Sequence, residues 1–221
     1  MSALCCGDGP GAKMVEINRL LSAGNDDDIS DEDLKRLPKY ANDRRWGEFA
    51  LRPEFAVACC LLAARRGLSE VPKRYLYVAA ICGKLRAVDS ICREAELRTA
   101  LQLDSPFGVR LLEGAIVRNN AAMVQCLAAL GASRHSTRLI SLAIRKGSPE
   151  TITAICTSNR VFNLSRKKYL REAESRGQPS IYAAVEGVKG VLHVDAEDHP
   201  KLTAEEITEV FSTLAWRVRE G

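Results

Sequence analysis

One pattern recurs along the chain and restricts its fold more than any other feature. An alanine is preceded by Leu or Ile three residues earlier and followed by Gly or Asn four residues later. Large apolar residues then stand nine and twelve positions beyond it. Leu76, Ala79, Gly83, Val88 and Ile91 form one copy, and Leu112, Ala115, Asn119, Val124 and Leu127 the next. Ile140, Ala143, Gly147, Ile152 and Ile155 follow, then Leu170, Ala173, Gly177, Tyr182 and Val185. These alanines lie 36, 28 and 30 residues apart. A weaker copy surrounds Ala50, with Cys59 and Leu62 in the late apolar positions and Pro53 at the turn. Repetition at such a period marks a chain built from stacked supersecondary units.

Each copy describes two short antiparallel helices. The small alanine lets a neighbouring helix approach closely, and Gly or Asn accepts the left-handed conformation that ends a helix in a tight turn. The second helix then offers its two apolar residues on one face. A hairpin of this size cannot bury that face alone, so the units must stack. The pattern predicts an all-α, helical-hairpin repeat solenoid over residues 46–187. An N-terminal arm and capping helices would occupy 1–45, and a loop with a C-terminal capping helix 188–221. With 46% hydrophobic but only 5% aromatic residues, the composition suits close-packed helices.

The flanks carry their own signals. Met14, Ile17, Leu20 and Leu21 predict an amphipathic helix over residues 12–22, stopped at Gly24. The acidic run Asn25 to Asp33 lacks the sixth-position Gly and twelfth-position Glu of a calcium loop. Ser30 instead reads as the cap of a helix with Asp31 to Asp33 in its first turn. Thr203-Ala-Glu-Glu206 is a capping box ahead of Ile207, Val210, Phe211, Leu214 and Val218 at helical spacing. Polar connectors are expected at 98–108, 131–136, 158–165 and 187–200.

The segment Leu111 to Ser133, with its Leu-Gly-Ala-Ser ending, resembles an ankyrin repeat, and Tyr75 to Cys92 is similar to the same unit. The resemblance spans residues 46–187 and is divergent. The family's Thr-Pro-Leu-His opening is replaced by Arg74-Tyr-Leu-Tyr77, Arg110-Leu-Leu-Glu113, Arg138-Leu-Ile-Ser141 and Lys168-Tyr-Leu-Arg171, which keep only the Leu or Ile. It implies a non-catalytic protein-interaction module, an adaptor, scaffold or inhibitor, that binds through the concave face and loops. Pathogens and viruses use divergent ankyrin-like proteins to engage host proteins, and the resemblance extends to that setting. In the ankyrin-like register the residues before each turn border the groove, so Arg118, Arg145 with Lys146, and Arg176 form a ladder. Asn120, Arg134 and His135 join them as partner-binding residues on the adjoining turns and loops. Arginine's bidentate donors favour an acidic partner. The same cations also suit helix C-termini, where they offset the negative pole of the dipole.

Charge is nearly balanced, 32 Lys+Arg against 28 Asp+Glu, so a polyanion-binding reading needs a local cluster. The alternative function is therefore nucleic-acid binding through the basic stretches 35–52 and 160–176, with Tyr40, Trp46 and Tyr169 as stacking rings. No nucleophile, base or metal constellation stands out, and the chain reads as a non-enzyme without cofactor or metal. His193, Asp195, Asp198 and His199 are the nearest to a ligand set, and they read as a solvated loop. The eight cysteines include the neighbours Cys5-Cys6 and Cys59-Cys60 and no Cys-x-x-Cys pair. They read as reduced thiols in a cytoplasmic, or nuclear, protein. The longest apolar run, residues 55–64, is far short of the roughly 20 residues that cross a bilayer, so no membrane span is expected.

Overall fold

A computed structural model describes residues 9–132, 137–158 and 166–188. Among them are 13 α-helices and no strand. The chain divides into two compact units, Met1–Val188 and Lys189–Gly221. The second unit lies outside the described residues, and so do the helix expected after Thr203 and the group His193, Asp195, Asp198 and His199.

Helix α1 (Pro10–Ala23) buries Met14, Ile17 and Leu20 and ends at the left-handed Gly24. A 3-10 turn over Asp26–Asp28 leads to α2 (Asp31–Ala41), whose first turn is capped by Ser30 Oγ accepting from the Asp33 N–H at 3.1 Å. Partial burial pushes the Asp33 carboxyl up, but the Ser30 hydroxyl and the Lys13 ammonium 3.1 Å away bring it below its ordinary range. Arg66, further along the chain, ties this acidic turn down. Its guanidinium donates to the Ile29 carbonyl, to the Asp26 carbonyl at 2.5 Å and to the Asp31 carboxylate at 3.1 Å.

Five helix pairs and one extra helix follow. The pairs are α3 (Gly47–Ala50) with α4 (Pro53–Arg65), and α5 (Glu70–Ile81) with α6 (Leu85–Arg93). After α7 (Ala95–Leu101) come α8 (Pro106–Val117) with α9 (Ala121–Ala129), α10 (Thr137–Lys146) with α11 (Pro149–Ser158), and α12 (Arg166–Ser175) with α13 (Pro179–Gly187). First helices touch one another in the order α5, α8, α10, α12, and second helices in the order α4, α6, α9, α11, α13, while α2 packs on α5. On these first helices Ala79, Ala143 and Ala173 are fully buried and Ala115 is 2% exposed, and Ala50 on α3 is fully buried as well. Tyr75 adds a longer link, its buried hydroxyl donating to the Ala50 carbonyl.

Three of the four turns close as their spacing predicts, with Gly83, Asn119 and Gly177 left-handed at φ 71°, 55° and 67°. The fourth does not. Gly147 avoids positive φ, and its N–H returns to the Ala143 carbonyl at 2.7 Å. Pro149 and the Ser148 hydroxyl, which faces the Thr151 N–H at 3.4 Å, then start α11 directly. A second correction concerns the connector expected at 98–108, which is helical at both ends, α7 running to Leu101 and α8 starting at Pro106. Leu97, Leu101 and Leu103 give α7 and the residues after it an apolar edge that is buried, against α4, α5 and α6 in the case of the helix. No helix among the described residues is long and apolar enough to cross a membrane. Cys59, Cys60, Cys92 and Cys156 are buried free thiols, and burial pushes the last two up to about 12.

Candidate partner-binding surface

The anticipated ladder separates into exposed cations and cations the fold uses. Arg118 follows the last residue of α8, and Lys146 ends α10. Both are exposed and neither side chain has a hydrogen bond or ion pair among the described residues. Arg145 is exposed too, with Nε 3.3 Å from the Ser141 carbonyl and 3.9 Å from Glu172 Oε1 on α12. Arg176 is different. It is half-buried, and its Nη1 donates to the carbonyls of Ile144 and, at 3.3 Å, Gly147, where α10 ends. Those carbonyls have no partner within their own helix, so Arg176 caps a neighbour.

Asn120 caps as well. Its Oδ1 accepts from the Met123 N–H at 3.0 Å, opening α9, and its Nδ2 lies 3.3 Å from where a Cβ on Gly83 would stand. One turn thus rests against the next. Arg134 and His135 lie outside the described residues. Of the seven anticipated residues, Arg118, Arg145 and Lys146 are held as exposed cations at matching ends of the packed helices α8 and α10.

A second set of cations on the same helices was not recognised from the sequence as one row, although its last member, Lys168, falls in the basic stretch 160–176. At about 100° per residue, positions five before, two before and two after each anchor alanine lie roughly 140–160° from it. They form the outer face of the first helices. The position five before is Arg74, Arg110, Arg138 or Lys168, basic and exposed in all four. Among the described residues only Arg138 of the four has an ion partner, Glu113 of α8 at 3.0 Å, while Lys168 lies 6.0 Å from the centre of the Tyr169 ring. Beside this row stand Tyr77, 42% exposed, and Val117, 57% exposed. The signal was present in the sequence, because each altered opening begins with Arg or Lys. Next to each cation, Tyr75, Leu111, Leu139 and Tyr169 are buried in the core, so the opening has kept a packing role while changing its chemistry.

Of the rings proposed for base stacking, burial removes Tyr169. Tyr169 is fully buried, and Tyr40 and Trp46 pack half-buried against the core. Within the 35–52 stretch, Arg36 pairs with Glu32 at 3.2 Å and Arg52 lies 5.0 Å over the Phe49 ring. Residues 160–165 of the other basic stretch lie outside the described residues.

Compared with family models, curated proteins and solved structures, the chain matches none. The ankyrin resemblance therefore rests on the residues quoted above, and the all-helical architecture on its own geometry.

Proposed function

We propose that the chain is a non-catalytic protein-interaction module, an adaptor, scaffold or inhibitor, built as an ankyrin-like helical-hairpin stack and engaging an acidic protein partner. The serial packing of first helices on first helices and second on second supports the stack. The observation that carries the binding reading is the pair Arg118 and Lys146. Both are exposed, at corresponding ends of packed helices, and no described carboxylate satisfies them. Carboxylates of a partner would form charge-assisted hydrogen bonds there at little cost to the module's own fold. Buried free thiols suit a reducing compartment and so support the reading of a cytosolic or nuclear module. A host protein bound by a pathogen's module is one such pairing.

The test uses the full chain as bait, wild type against the double variant Arg118→Glu, Lys146→Glu. Circular dichroism should be unchanged, because both side chains are exposed, and melting should fall only by the small cost, about 0.3–1 kcal/mol per site at low salt, of reversing a charge at a helix C-terminus. Mass spectrometry of captured proteins should show the wild-type partner lost from the variant. An identical captured set would overturn the reading.

A further inference from the structure

We infer that the outer row Arg74, Arg110, Arg138 and Lys168 receives an extended acidic peptide whose carboxylates recur at every third residue. The inference rests on the protein-interaction reading and adds the form of the partner segment.

The row is defined by register. Its four members occupy the same position relative to a buried alanine, on helices that pack in series. Packed helix axes lie about 8–10 Å apart, so cations at one register repeat at that interval. The Arg138–Glu113 pair at 3.0 Å crosses from α10 to α8 and shows the face continuous between them. An extended polyproline-type peptide turns once in three residues and rises ~3.1 Å per residue, returning a side chain to the same side every ~9 Å. The two intervals match.

Folding accounts for only part of this row: Arg138 has its ion pair with Glu113, but the helix positions themselves do not call for cations. Arg138 is the second residue of α10 and Lys168 the third of α12, and neither helix has an acidic residue in its first turn. A helix N-terminus favours anions and repels cations. Arg74 and Arg110 make no ion pair or side-chain hydrogen bond among the described residues. Exposed Tyr77 and Val117 beside the row offer apolar contact to the uncharged residues between the peptide's acids.

The same face disfavours a phosphate backbone. Glu113 lies 3.0 Å from Arg138, and Glu172 stands 3.9 Å from Arg145. A chain charged at every unit would meet those carboxylates, whereas acids separated by two neutral residues pass between them.

The full-length chain is titrated with three labelled probes at physiological ionic strength, binding being read by fluorescence anisotropy. The probes are a peptide of repeated Glu-Pro-Pro, a peptide of equal composition with its glutamates contiguous, and oligouridylate. The spaced peptide should bind at least about tenfold tighter than the contiguous one, and Arg110→Glu should weaken it by about tenfold or more. Arg110→Gln should weaken it less, and both variants should keep the wild-type melting curve. Equal affinity for the two peptides, tighter binding of oligouridylate, or indifference to both Arg110 variants would each overturn the inference. If the peptides fail while the Arg118, Lys146 variant still loses its captured partner, the row falls and the module stands. If both experiments fail, the module reading falls too.

Discussion

Arg118, Arg145, Lys146 and Arg176 stand at the C-terminal ends of the first helices, where the negative pole of the helix dipole draws cations. Arg74, Arg110, Arg138 and Lys168 stand in the first two turns of the same helices, and the last two occupy first turns whose positive pole repels them. The two sets differ in how much folding alone explains. A cation at a C-terminus has a role in its own helix, and Arg176 goes furthest by bonding the end of a neighbouring one. A cation in a first turn works against its helix, and for Arg138 and Lys168 that is part of the ground for the proposed peptide contact. Exposure by itself does not separate the sets; position along the helix does.

Both sets are defined by one alanine register, and the largest expected effect comes from disturbing it. Ala115→Leu should cost about 1–3 kcal/mol by overpacking, read from thermal unfolding. A wild-type melting curve would break the register and the comparison with it. A smaller effect tests the division inside the C-terminal set. Arg176→Ala should cost about 1–2 kcal/mol in urea unfolding by leaving the α10 carbonyls without their donor, whereas Arg118→Ala should stay within about 0.5 kcal/mol. Equal costs would erase that division. The smallest effect tests the dipole argument itself. Charge reversal should act with opposite sign at the two ends, Lys168→Glu stabilising and Lys146→Glu destabilising, each by about 0.3–1 kcal/mol at low salt. Shifts of the same sign would remove the reason for treating the rows separately.

What the sequence discloses here is what depends on one hairpin. The buried alanines and the left-handed Gly83, Asn119 and Gly177 follow from residue spacing because cause and effect lie within a few residues. What it conceals depends on neighbours. The leucines of α7 straddle the edge of a stretch that averages polar, and the helix's packing partners lie in α4, α5 and α6. Arg176 reads as one more helix-end cation until the carbonyls of Ile144 and Gly147, some thirty residues upstream, are seen beside it. Gly147 departs from its siblings because Ser148 and Pro149 start the next helix at once. The row beginning at Arg74 is visible letter by letter, yet against the Thr-Pro-Leu-His opening each copy reads only as a loss of everything but the Leu or Ile. Shared exposure and serial packing turn the four cations into one feature.

The extra helix α7 has a mechanical consequence. Its seven residues lengthen the interval between Ala79 and Ala115. At that point the second helices α6 and α9 touch only slightly, while α9, α11 and α13 pack extensively. The portion ending at Leu101 and the portion beginning at Pro106 are thus joined mainly by α5 against α8. Between them lie exposed Gln102 and Asp104. At this seam the chain should tolerate being severed and reassembled: two polypeptides divided after Asp104 and expressed together should co-elute in gel filtration, held mainly by the contact of α5 with α8.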